Sequence, residues 1–221
     1  SILEVCQMEK EMVGIFINRH PMDTFKVEYD AITNTVLTEL DNINELVKTK
    51  PNLTVAGIVI KVDHLITKTG KNYSKFILQD YSGQHTFFAF GNAFDLLRLI
   101  LYPNQFIVLK CRIEKPRWAK EGGNPWELNI VSGEKMEDVR DRYIKGLNIA
   151  IDVDFLSQGM VHDLLSLIDK YPGEMPLQFT IHHQVKKYQF DMFSSSKKVN
   201  LCADLLDELN RAELVYQIQL K

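Results

Sequence analysis

The chain has 221 residues, 45% hydrophobic and 25% charged, with a net charge of −3, a globular composition with room for one large domain or two small ones. It has no apolar run long enough to span a membrane as a helix, and the opening SILEVCQMEKE lacks the basic start and apolar core of a signal peptide. Three widely separated cysteines, Cys6, Cys111 and Cys202, with no C-x-x-C, exclude a disulfide framework and a zinc ribbon and point to reduced thiols in a cytoplasm.

The first residue is Ser1, which suggests a piece cut from something longer. Residues 1–17 have helical spacing, ended by Asn18-Arg19-His20-Pro21, because the residue before proline avoids the helical region. Residues 30–47 offer a second helical face through Ile32, Val36, Leu37, Leu40, Ile43, Leu46 and Val47. Residues 1–50 are therefore expected to form a helical linker segment, bounded by Lys50-Pro51-Asn52.

Strand chemistry follows over residues 51–135. LTVAGIVIKVDHLIT (53–67) is rich in β-branched residues, and Gly57 within it suits a strand that bends around a barrel. YSKFILQD (73–80) and QHTFFAF (84–90) are two more strands, joined by the turn DYSG. A helix over 92–101, with Asn92 as its N-cap, precedes strands at 105–117 and 126–133. Three strands, a helix and two strands is the order of an OB-fold. This small five-stranded barrel binds oligonucleotides on strands 2 and 3 and on the loops joining strands 1–2 and 4–5.

Residues 136–221 repeat a β-α-β unit. Strand 147–153, helix 161–171 and strand 177–183 are followed by strand 188–193, helix 202–210 and strand 214–220, and Asp163-Leu164-Leu165 recurs as Asp204-Leu205-Leu206. The order βαββαβ predicts a ferredoxin-like domain, with two helices on one face of an antiparallel sheet. The whole chain is thus an α+β, or mixed, protein. Within the last domain QFDMF (189–193) looks like the Gln-x-x-hydrophobic-Phe peptide that bacterial proteins insert into the sliding clamp, but its alternation and its place in the repeat favour an ordered strand.

Charge is divided along the chain. Residues 61–120 carry 10 basic and 4 acidic groups, net +6, whereas residues 1–50 are net −4 and residues 134–221 net −3. A basic middle in an acidic chain points to a polyanion, against the alternative of a solvated lysine-rich surface. The candidate nucleic-acid residues are Lys68 and Lys71 in the first loop, Lys75 and Phe88 on strands 2 and 3, and Lys115, Arg117, Trp118, Lys120 and Trp126 around the loop before the fifth strand. The cations can neutralise phosphates and the aromatic rings can stack on bases, each stack being worth roughly 1–3 kcal/mol. Alternation alone leaves open which face of strands 2 and 3 is inside, and whether the two tryptophans stack on bases or pack on the barrel mouth.

The same residues admit rivals. The barrel can serve only as a protein-interaction scaffold with no DNA affinity. Asp152 and Asp154, two apart on a strand, face the same way and can hold Mg²⁺ for phosphoryl transfer, although no phosphate cradle adjoins them. His182 and His183 point to opposite faces of their strand and do not suit one metal. No Ser/His/Asp or Cys/His arrangement is evident, so no catalytic residue is assigned.

EKEMVGIFINRHPMDTF (9–25), through Glu9, Lys10, Glu11, Gly14, His20 and Pro21, resembles a signature of the bacterial replicative DNA polymerase III alpha subunit, a C-family polymerase. VAGIVIKV (55–62), FILQDYSG (76–83), Phe90, and the step through Arg140, Arg142, Tyr143 and Gly146 are similar to that family too. The resemblance is strong through residue 146 and weaker beyond it. It implies the C-terminal end of a much longer nucleotidyltransferase, whose Mg²⁺-binding palm aspartates and internal clamp peptide lie upstream, so that no cofactor is expected here. It further implies that the barrel binds single-stranded DNA and that the last domain contacts the clamp-loader tau subunit, with the sliding clamp reached through the parent.

Overall fold

The computed structural model describes residues 20–115, 126–183 and 186–221. The helix expected over 1–17 lies outside them, as do Arg117, Trp118 and Lys120. The chain divides into two compact units, Ser1–Val139 and Arg140–Lys221.

The first unit begins with a 3-10 turn, Pro21–Phe25, whose cap is reciprocal: the His20 side chain accepts from Met22 N and the Asp23 carboxylate from His20 N. Helix α1 (Lys26–Ile32) follows, then a 3-10 turn (Leu37–Asn42) and helix α2 (Ile43–Thr49). The single helical face expected over 30–47 is therefore broken. Asn34 is the reason. Its main chain donates to Thr54 O at 3.1 Å and its side chain accepts from Thr54 N at 2.8 Å, tying the segment to the first strand.

Strands β1 (Asn52–Ile66), β2 (Asn72–Gln79), β3 (Gln84–Phe90), β4 (Phe106–Glu114) and β5 (Glu127–Lys135) form one sheet of order β3-β2-β1-β4-β5, with every pairing antiparallel. Helix α3 (Asn92–Leu97) connects β3 to β4 and is capped at Gly91, φ +52°, one residue earlier than expected. This is the OB-fold order. Gly57 sits where β1 is paired with β4 and reaches the end of its ladder with β2. A Cβ there would lie 2.4 Å from Gln79 O, so only glycine permits the approach. The interior is filled by Val55, Val59, Phe76, Leu78, Phe87, Leu97, Ile107, Leu109 and Ile130. At such burial each large aliphatic or aromatic side chain contributes about 1.5–3 kcal/mol of transfer free energy.

After helix α4 (Met136–Tyr143), the second unit runs β6 (Ile144–Asp152), α5 (Gln158–Lys170), β7 (Pro172–His183), β8 (Tyr188–Val199), α6 (Ala203–Arg211) and β9 (Val215–Leu220). The element order βαββαβ is the expected one, and QFDMF lies in β8. The sheet is not the ferredoxin-like antiparallel one. Its order is β8-β7-β6-β9, and β6 pairs with β7 in parallel. The two repeats differ in space: β6 and β7 are neighbours, whereas β8 and β9 occupy opposite edges. Apolar content decides the placement. The register sets Leu147 beside Leu177 and Ile151 beside Ile181, all four buried. β8, with its Ser194-Ser195-Ser196-Lys197-Lys198 tail, is almost wholly exposed and suits an edge. Among the described residues no helix is long and apolar enough to cross a membrane.

Candidate nucleic-acid interface

The burial pattern settles which face of the barrel points outward. On β2, Ser74, Phe76 and Leu78 are buried and Lys75 is exposed. On β3, Phe87 and Ala89 are buried, while Phe88 and Phe90 are 47% and 54% exposed. The outward face of this ribbon therefore carries Tyr73, Lys75, Phe88 and Phe90. Register makes them a ladder: Tyr73 pairs with Phe90 and Lys75 with Phe88. The Tyr73 and Phe90 rings stack at 4.9 Å and 17°, and Phe88 and Phe90 follow at 6.3 Å and 10°. Lys75 Nζ lies 6.0 Å from the centre of the Phe88 ring.

Large apolar rings on an exposed strand face cost solvation unless something covers them. Flat, parallel rings beside an ammonium group offer π-faces for bases and a cation for phosphate. Lys68 and Lys71 extend the positive end along the β1–β2 turn. Both are exposed, and the turn is closed by Thr67, whose Oγ1 accepts from Lys71 N at 3.0 Å. Lys115 Nζ lies 5.1 Å from the Trp126 ring, and Trp126 is half-buried against the barrel core. Trp126 is thus a packed residue of the barrel mouth that keeps part of its ring accessible. Tyr73 and Phe90 did not enter the sequence-based set. Their signal was the cross-strand register, which alternation within one strand does not supply.

The acidic pair of the second unit is not a metal site in form. Asp152 ends β6 and its Oδ1 accepts from Asp154 N at 3.0 Å, capping a 3-10 turn that turns Asp154 away from the strand. Each carboxylate has its own histidine: Asp152 Oδ2 is 3.6 Å from His182 Nε2, and Asp154 Oδ2 is 3.0 Å from His183 Nδ1. Among the described residues no group of three metal-ligating side chains converges.

A family model described as DNA polymerase III alpha subunit, C-terminal domain, matches residues 147–219. The DNA polymerase III subunit alpha of Deinococcus radiodurans is 30% identical over 198 residues, covering 86% of this chain. This chain belongs to the DNA polymerase III alpha subunit family. The subunit from Thermus aquaticus is 23% identical over 184 residues, covering 81% of the chain, and that from Escherichia coli K12 is 23% identical over 145 residues, covering 65%. The chain spans 14% of the length of the first two relatives and 12% of the third. The family model falls on the part of the chain where the sequence motifs resembled the alpha subunit least. Solved structures of low similarity include a small single-stranded DNA-binding protein from Streptomyces coelicolor, at 15% identity and TM-score 0.24, covering 38% of this chain and 90% of that one. Another is a replication protein A heterotrimer bound to single-stranded DNA, at 11% identity and TM-score 0.29, covering 67% and 40%. The OB-fold of this alpha-subunit segment rests on its own strand order.

Proposed function

We propose that this segment of the alpha subunit binds single-stranded DNA on the outward face of β2 and β3. The observation that carries the reading is the exposed ladder Tyr73–Phe90–Phe88 with Lys75 at its end. Bases stack on the rings, and Lys68, Lys71, Lys75 and Lys115 meet phosphates. Arg117, Trp118 and Lys120 remain candidates for the same role and lie outside the described residues. The parent is a DNA-directed DNA polymerase whose Mg²⁺-dependent transfer chemistry is supplied by other parts of the molecule, and the segment works in the cytoplasm to hold template. The second unit docks protein, with the clamp-loader tau subunit as partner and the sliding clamp engaged through the parent. The half-exposed Phe190 and Met192 and the exposed Phe193 on edge strand β8 support a docking role.

Fluorescence anisotropy of a labelled single-stranded oligonucleotide tests the DNA reading. Affinity falls steeply with salt, Lys75→Ala lowers the salt slope by about 1, and Phe88→Ala weakens binding roughly tenfold at every salt concentration. Binding that ignores both salt and Phe88→Ala assigns the barrel to protein scaffolding.

A further inference from the structure

β3 and β5 are the two edges of the barrel sheet. Between them lies an open cleft of about 710 Å³, lined by Phe88 and Phe90 on one side and Trp126 on the other, with Glu114, Glu127 and Asn129 at its polar end. Its chemistry differs from that of the ladder beside it. Among the described residues that line it there is no lysine or arginine, and beside His85 and Thr86 its ionisable acidic groups are the two carboxylates Glu114 and Glu127. Glu114 and Glu127 stand directly opposite each other in the β4–β5 register. Like charges opposed across an antiparallel pair are destabilising, so a hydrogen-bond donor placed between them relieves a cost already present. Asn129 Nδ2 supplies part of that relief, donating to Glu114 Oε1 at 2.8 Å.

We propose that this cleft is a base-reading subsite that accepts nucleobases bearing an exocyclic amine and disfavours thymine. The inference rests on the DNA reading of the adjoining ladder. The carboxylates repel phosphate, while Lys75 beside Phe88 and Lys115 beside Trp126 stand at its margins and hold the backbone there. A strand on the ladder therefore turns base edges, not phosphates, into the cleft. Aromatic rings on both sides accept any base by its π-face. The carboxylates then discriminate by hydrogen-bond polarity, because they only accept. Cytosine N4, adenine N6 and the guanine N1–H and N2 group donate to them, whereas thymine presents O2 and O4 with a single N–H between. A sequence preference thus arises in a protein whose remaining DNA contacts are indifferent to sequence.

The test is competition of unlabelled dC15 and dT15 against a labelled mixed-sequence oligonucleotide on the 221-residue chain, at constant salt, for the wild type, Glu114→Gln and Glu127→Gln. Glutamine keeps the shape, adds a donor and removes the charge. The expected wild-type result is about fivefold tighter binding of dC15 than of dT15, the low end of what one good polar contact to a base edge gives. Both variants should bring that ratio close to one, chiefly by tightening dT15. Equal affinities in the wild type, or a ratio unchanged in both variants, overturn the subsite and leave the aromatic ladder as a binding face without preference. Absence of binding by every oligonucleotide at low salt overturns the DNA reading itself, and the subsite with it.

Discussion

The hydroxyl of Tyr29 donates to Asp80 Oδ2 at 3.0 Å, joining helix α1 to the β2–β3 turn across 51 positions of sequence. Asp80 is 2% exposed and accepts four more bonds, from Leu37 N, Ser82 N, Ser82 Oγ and Gly83 N, at 2.7–3.0 Å. One carboxylate thus closes the β2–β3 turn and fastens the N-terminal segment to the barrel. Asp80→Asn replaces an acceptor oxygen with a donor and sets it against N–H and O–H groups. Bonds to a charged group are worth about 1.5–3 kcal/mol each, and orphaned buried donors add a desolvation cost. A loss of about 3–4 kcal/mol is expected from urea unfolding of the first unit, with little change in the m-value. A loss under about 1 kcal/mol would show that the hub is redundant.

The same tyrosine gives the barrel a defined response to alkali. Burial and the Asp80 carboxylate push the Tyr29 hydroxyl well above its ordinary range, and burial with the Asp23 carboxylate, to which Tyr81 donates at 3.0 Å, does the same to Tyr81. A group whose folded pKa is raised stabilises the fold fully below its unfolded pKa, about 10 for tyrosine, and loses that contribution as pH climbs toward the folded value. Unfolding above pH 10 therefore releases protons from both residues. Tyr81 gives the smaller share, since it is 39% exposed and water screens its partner. Denaturant midpoints measured from pH 8 to 11 should fall more gently in Tyr29→Phe than in the wild type. Parallel curves would contradict the assignment.

Cys111 offers a readout confined to the first unit. It lies on β4 at 2% exposure, and burial alone pushes its thiol up to about 12. At pH 8 the thiolate fraction is then on the order of one in ten thousand, and no reagent reaches the sulfur. Cys202, at the start of α6, is only half-buried, so a reagent can reach its sulfur. Peptide mapping after a short exposure to a maleimide should find Cys202 modified and Cys111 untouched. Labelling of Cys111 should begin only at denaturant concentrations that open the barrel. Early labelling of Cys111 would place the opening of β4 below global unfolding.

Much of the first unit was legible because its signals are local. Gly57, the DYSG turn, the β-branched run of β1 and the helix between β3 and β4 each announce themselves within a few residues, and together they fix the strand order of the barrel. The second unit shows where local reading stops. Its six elements are plain, yet their pairing depends on which strands bury most, and that is a comparison between Leu147–Ile151, Leu177–Ile181 and the serine-rich β8, not a property of any one of them. The break at Thr33–Val36 was hidden for a similar reason, since Asn34 abandons the helix to pair with Thr54, a residue 20 positions away. The exposed face of β2 and β3 lay between these cases. Lys75 and Phe88 stand out as a cation and a ring on adjacent strands, but the outward direction of their face came only with the burial of Phe76 and Phe87.

The stacked pair Tyr73–Phe90 tests whether the ladder acts as one platform. The rings touch across β2 and β3, so each holds the other flat for an incoming base. Residues in contact couple, and the coupling is measurable by a double-mutant cycle. Tyr73→Leu and Phe90→Leu keep apolar bulk and the strand pairing but remove the π-face. Each is expected to weaken single-stranded DNA binding by about fivefold to tenfold, the scale of one lost base stack. The double variant should lose less than the product of the two, because a base that has lost one ring of the pair has already lost its flat seat. Since both side chains lie on the outward face, thermal unfolding should move by only a few degrees. Strictly multiplicative losses would mean that the two rings meet different nucleotides independently. Unchanged affinity in both single variants would move the strand off β2 and β3 and onto the basic loops alone.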